Sequence, residues 1–175
     1  MMDQNTATQS NQANVDYEFL SGGTMLPIKK ILCPTDFSDA SRNAMDTALE
    51  FAIQFSAELW ILHAVEPIQT MPAPANFPLP GHYKACIDGA TQKIESIIKK
   101  QVQDKCRVKV CVDMAAAAEK IIQIAGDEAI DFIVIATHGE SALHQLLFGS
   151  VAEKVIRRAP CPILIVRDSQ HAEKL

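Results

Sequence analysis

Two stretches of this sequence combine polar side chains with backbone that an anionic ligand could approach. The first is Pro34-Thr35-Asp36-Phe37-Ser38, which ends an apolar run. On a strand-to-helix turn the Asp36 carboxylate can accept hydrogen bonds from a ribose hydroxyl or an exocyclic amine. Asp36 or Ser38 can equally serve as the N-cap of the next helix. The second stretch is Ala136-Thr137-His138-Gly139, then nine residues, then Gly149-Ser150. Glycine lets backbone come close to a phosphate. The free amides of a helix start, with the Ser150 hydroxyl, make an anion site. The plainer reading is a turn glycine followed by a serine cap. The spacing is neither a phosphate loop ending in Gly-Lys-Ser/Thr nor the GxGxxG of dinucleotide binders.

Both stretches need strands behind them, and the pattern supplies these. Residues 28–33 (IKKILC) read as a first strand stopped by Pro34, and residues 40–55 as a helix through Ala44, Leu49, Phe51, Ala52 and Phe55. Residues 58–65 (ELWILHAV) read as a second strand. Residues 67–81 hold Pro67, Pro72, Pro74, Pro78 and Pro80, a density that predicts a long surface loop. A helix is expected over 83–104, a strand over 107–112, an alanine-rich helix over 115–128 and a strand over 131–136. A last helix over 150–158 and a strand over 162–166 complete the order. Alternating β and α elements with apolar strands imply a doubly wound α/β fold, a parallel sheet with helices on both faces. Ligands of such folds sit beyond the carboxyl ends of the strands. That is where Asp36, Gly139 and Gly149 fall.

The bulk properties agree with one domain. The chain has 175 residues, 48% hydrophobic and 21% charged, with a net charge of -5. We read residues 1–26 as a polar tail, 27–168 as the domain and 169–175 as a short second tail. The acidic balance argues against nucleic acid as a partner. No apolar run reaches the roughly 20 residues of a membrane span, and residues 1–24 lack the features of a secretory signal. A cytoplasmic protein is expected. Five cysteines without a CxxC pair read as reduced, apolar thiols, not as a metal site. His63 reads as a satisfied core or rim histidine, and His138 as a turn residue that could also reach a phosphate. His82, His144 and His171 have no metal-ligand spacing. Lys154, Arg157 and Arg158 read as a solvated face. No nucleophile stands in a GxSxG context, so an enzyme is not expected.

The strings ILCPTDFSDASRNAMDTALEFA, ILHAVEP and DFIVIATHGESALHQLLFGSVAEKVIRRAPCPILIVR resemble the first, second and last segments of the universal stress protein family. The resemblance implies five parallel strands in the order 3-2-1-4-5 and a homodimer through the edge strand from Pro162 to Val166. It also implies an ATP site, with magnesium, and at most slow hydrolysis. Asp36 would contact the adenine, with Pro34, Thr35 and Ala64 lining the base and ribose pocket. Gly139, Gly149, Ser150 and Val151 would hold the phosphates. The sequence departs from the ATP-binding pattern at Ala136, which stands in place of its first glycine. Glu140 stands where a basic residue is frequent, Ala142 where a glycine is. Asp113-Met114-Ala115 replaces a glycine turn. A nucleotide-free dimeric interaction protein of the same fold is the alternative. A pyrophosphatase-type enzyme would need an SGGxDS-like loop, and Ser21-Gly22-Gly23 precedes the first strand.

Overall fold

The computed structural model describes residues 27–67, 79–102, 105–137 and 148–167. In chain order the elements are β1 (Lys30–Pro34), α1 (Asp39–Phe55), β2 (Glu58–Val65), α2 (Leu79–Gln101), β3 (Val108–Met114), α3 (Ala117–Asp127), β4 (Phe132–Ala136), α4 (Ser150–Arg158) and β5 (Ile163–Val166). The five strands are parallel and lie in the order β3-β2-β1-β4-β5, as the family resemblance implied. The order reverses between β1 and β4. That is the switch point of a doubly wound sheet.

Alternation along the strands divides the core into two layers. Ile31, Cys33, Leu59, Ile61, Phe132 and Val134 pack against α1 and α2, where Ala44, Met45, Ala48, Ala52 and Ile94 are buried. Leu32, Trp60, Leu62, Ile133 and Ile135 pack against α3 and α4, under Ile121, Ala125 and Val155. All five residues of β4 are buried, as expected of a central strand covered on both faces. Trp60 is the single tryptophan and is 2% exposed. Its Nε1 donates to Glu58 Oε2 at 2.8 Å, and the Lys109 and Lys30 ammonium groups lie 3.6 and 5.4 Å from its ring centre. This cluster sits near the amino ends of the strands, away from the switch-point rim.

Several boundaries differ from the sequence expectation, each for a local reason. β1 begins at Lys30, not at Ile28, because the amides of Lys29 and Lys30 donate to the Asp131 carboxylate (2.8 and 2.9 Å) before the ladder starts. Pro34 is its last residue, in register with Leu62, so the missing N–H falls at a strand end. Most of the expected proline-rich loop, residues 68–78, lies outside the described residues. α2 already runs from Leu79 and takes Pro80 into its first turn, where the amide has no helical partner to lose. β3 continues past Val112, with Asp113 opposite Ala64 and Met114 opposite Val65. The Asp113-Met114-Ala115 segment is therefore largely strand, not the turn expected from the family pattern. The other expected ends shift by three residues or fewer, and β2 and α4 begin and end as expected. Residues 1–26 and 169–175, read as tails, lie outside the described residues.

Candidate functional site

β1 delivers the chain to the sheet rim at Pro34, and a closed set of hydrogen bonds then shapes the turn. Thr35 N donates to Leu62 O at 2.8 Å, which ties the turn to β2. The Thr35 hydroxyl is buried, 3.1 Å from Ser41 Oγ, and accepts from Phe37 N at 3.1 Å. Ser38 is the N-cap of α1, its oxygen accepting from Ser41 N at 3.1 Å. Asp36 Oδ1 accepts from both Ser38 N (3.0 Å) and Ser38 Oγ (2.6 Å). Of the two capping candidates, Ser38 caps and Asp36 braces the cap. His63 sits at the rim, its Nδ1 2.8 Å from Thr35 O. A carbonyl can only accept, so Nδ1 carries the proton. Its role as a satisfied rim histidine is as read from the sequence.

Across the switch point, Thr137 N donates to Val166 O (3.0 Å) and Gly149 N to Thr137 O (2.8 Å). These two bonds bring the start of α4 to the end of β4. Gly149 is the N-cap of α4, at φ -69° and ψ 158°, and has no side chain with which to cap. α3 starts in the same way, behind Ala116, again without a side-chain cap. Arg157 pairs with Glu153 at 2.9 Å, and Arg158 reaches Glu119 of α3 at 3.6 Å.

Between the two rims lies a cleft of about 470 Å³. Pro34, Thr35, Asp36, Ala64, Ala136, Gly149, Ser150 and Val151 all line it. The fold thus brings together every expected site residue except His138 and Gly139, which lie outside the described residues, as do Glu140 and Ala142. Ala136 does not close the cleft. It is 7% exposed and packs in the α1–α2 layer of the core. Sequence reasoning missed the wall supplied by Ala117 and Ile121 of α3, and the share of His63 and Glu66 in the lining. The signal for the wall was the alanine-rich start of a helix following a strand end.

The electrostatics of the described residues are plain. Burial, with a smaller contribution from Asp46, pushes the Cys33 thiol up to about 12. Burial, with Asp131, pushes Cys161 up to about 11. Neither is a thiolate at neutral pH. The Lys120 ammonium, 2.6 Å from Asp113, holds that carboxyl below its ordinary range, helped by Met114 N. Among the described residues no group of His, Cys, Asp or Glu is arranged to hold a metal ion, and no helix is long and apolar enough to cross a membrane.

A rim cleft at the strand-order reversal, faced by helix starts, defines the class of doubly wound α/β domains whose ligands sit beyond the strand ends. Residues 27–167 match the model of the universal stress protein family, and the chain belongs to that family. It is 34% identical over 143 residues to universal stress protein MJ0531 of Methanocaldococcus jannaschii, covering 79% of this chain and 82% of that one. The universal stress protein UspA from Lactobacillus plantarum superposes with a TM-score of 0.67 at 24% identity, over 80% of this chain and 98% of that one. A universal stress protein from Archaeoglobus fulgidus in complex with dAMP superposes at 0.55 and 16% identity, over 79% and 97%.

Proposed function

We propose that the protein binds an adenine nucleotide, ATP with magnesium, in the switch-point cleft. On this reading it is a non-catalytic, cytoplasmic stress-response module that works as a homodimer. The observation that carries the reading is the placing of Asp36 and the Gly149–Val151 helix start on opposite rims of one cleft. A nucleotide has a flat apolar base at one end and a polyanion at the other. Ala64, Ala117 and Ile121 offer the base an apolar wall, and Asp36 an acceptor for its amine. The amides of Ser150, Val151 and Ala152 follow an N-cap with no side chain, at the positive end of the α4 dipole, and suit the phosphates. A cleft of about 470 Å³ is within the usual range for a small-molecule site. The choice of adenine is supported by the dAMP complex of the Archaeoglobus fulgidus relative.

Magnesium would neutralise the phosphates, held mainly by their own oxygens, and the Ser150 hydroxyl could add an oxygen ligand. The non-catalytic reading is supported by the hydrogen bonding of His63 and by the raised pKa of Cys33 and Cys161. His63 Nδ1 is bonded to a carbonyl, and the Cys33 and Cys161 thiols are protonated at neutral pH. The homodimer reading rests on β5. Among the described strands it pairs only with β4, and its half-buried residues Ile163–Val166 leave one apolar edge open. Pairing that edge with a second copy gives an isologous contact.

Calorimetric titration of ATP, with and without magnesium, tests the reading, with sedimentation of the same sample reporting the number of chains. Saturable binding by two chains and no accumulation of ADP is the expected result. Absence of binding at millimolar ATP with magnesium leaves a nucleotide-free interaction protein.

A further inference from the structure

The turn between β1 and α1 contains a backbone outlier that the cap and the cleft do not explain. Phe37 lies at φ 68°, in the left-handed region. A bulky residue enters that region only at a steric cost. Two other described non-glycine residues do so, Ser56 and Ala129. Ser56 is the C-cap of α1, and Ala129 follows the C-cap of α3. A left-handed residue is routine at a helix end. Phe37 precedes a helix, so that explanation is not available to it.

Strain of this kind persists where the surroundings over-determine it. Three elements do so here. From β2, the His63 ring packs on Phe37 with centroids 4.5 Å apart and planes at 40°. From α2, the exposed Lys93 places Nζ 4.0 Å from the Phe37 ring centre. Within the turn, Thr35 Oγ1 holds Phe37 N, and His63 Nδ1–H donates to Thr35 O. The imidazole thus grips the turn twice, by a carbonyl and by a ring. Phe37 packs on the α1–α2 layer, whereas Ala117 and Ile121 wall the cleft from the α3 side.

We propose that His63 and Lys93 are positioning residues which, by clamping Phe37 in its left-handed conformation, hold Asp36 for the nucleobase. The inference rests on the nucleotide reading above. Released from the clamp, Phe37 relaxes to negative φ and turns the peptide planes beside Asp36. The phosphate end of the cleft, built on α4, does not depend on the clamp. The two ends of a nucleotide should therefore respond differently.

The test is calorimetric titration with magnesium ATP and, separately, with inorganic tripolyphosphate. His63→Ala should weaken ATP about tenfold, the effect of one hydrogen bond and a ring contact. Lys93→Met should weaken it about threefold. His63→Asn, whose amide can donate to Thr35 O, should recover part of the loss. Phe37→Gly removes the ring that His63 and Lys93 grip and frees the turn to sample both signs of φ, so it should lose ATP affinity as His63→Ala does while folding normally. Tripolyphosphate should bind all four variants within about twofold of wild type, because it meets only the α4 end. Unchanged ATP affinity in Phe37→Gly and Lys93→Met, with wild type binding, overturns the clamp and leaves the cleft reading intact. Equal loss of ATP and tripolyphosphate also overturns it, since the effect would then be general. Wild type binding neither ligand removes the nucleotide reading and the clamp together. His63 itself lines the cleft, so the Phe37 and Lys93 variants, whose residues do not, decide between the clamp and direct contact, and they also decide if His63→Ala does not fold.

Discussion

α1 and α4 both begin at the rim of the cleft, and they begin differently. The start of α1 is closed by the chain itself. Ser38 caps Ser41 N, Asp36 braces Ser38, and the Thr35 and Ser41 hydroxyls face each other at 3.1 Å. The start of α4 follows Gly149, and that of α3 follows Ala116, neither of which can cap. A helix start leaves amides unpaired in either case. Where side chains take them up, the gain goes to stability. Where they are left at a concave rim, the same amides can serve a ligand. One rim of the cleft is thus a rigid support and the other is chemically open.

Making the open start resemble the closed one should have the largest effect. Gly149→Asp supplies a capping carboxylate to α4 and puts a negative charge where phosphates are expected. ATP affinity should fall about a hundredfold or more, by like-charge repulsion at short range. The melting temperature should hold or rise, because aspartate is a good N-cap. Calorimetry and thermal denaturation on one sample check both, and a fall in both would mean damage to the fold. Opening the closed start should do the reverse. Ser38→Ala should cost about 1 kcal/mol of stability, read by urea denaturation, and weaken ATP much less than Gly149→Asp does.

The smallest effect concerns the support beside the α3 start. Asp113 has a lowered pKa because of Lys120. A depressed carboxyl contributes stability above its unfolded value, near 3.8, and loses it as pH falls through the lower folded value. The pair is partly exposed, 20% for Lys120 and 50% for Asp113, so its worth is a few tenths of a kcal/mol. Asp113→Asn should lower the melting temperature slightly at pH 7 and by less as pH falls below 3.8. A loss that does not change with pH would assign the effect to packing.

How far the sequence showed these features depends on their range. β2 and α4 were legible to the residue because apolar runs and a Gly-Ser boundary mark them locally. Eight of the ten candidate site residues line the cleft: strand ends and a helix start singled out the Asp36 and Gly149–Ser150 stretches, and the family resemblance supplied Ala64, Val151 and the strand order that makes a switch point. β3 was read too short, since its last two residues are held by register with Ala64 and Val65 and not by their own propensity. The early start of α2 was hidden by Pro80, which forbids a helix interior but not a first turn. The left-handed Phe37 left no trace at all. No glycine or asparagine marks it, and its partners come from β2 and α2, far along the chain.

The cluster of Trp60, Glu58, Lys30 and Lys109 has a practical consequence. The only indole in the chain is sealed at the pole opposite the cleft and flanked by two ammonium groups. Its ultraviolet emission therefore works as a built-in gauge of sheet integrity, joined to the cleft through Leu62 two residues along β2. A change in that emission on adding a ligand would report a disturbance passed from the cleft lining into the layer of core that Trp60 and Leu62 share.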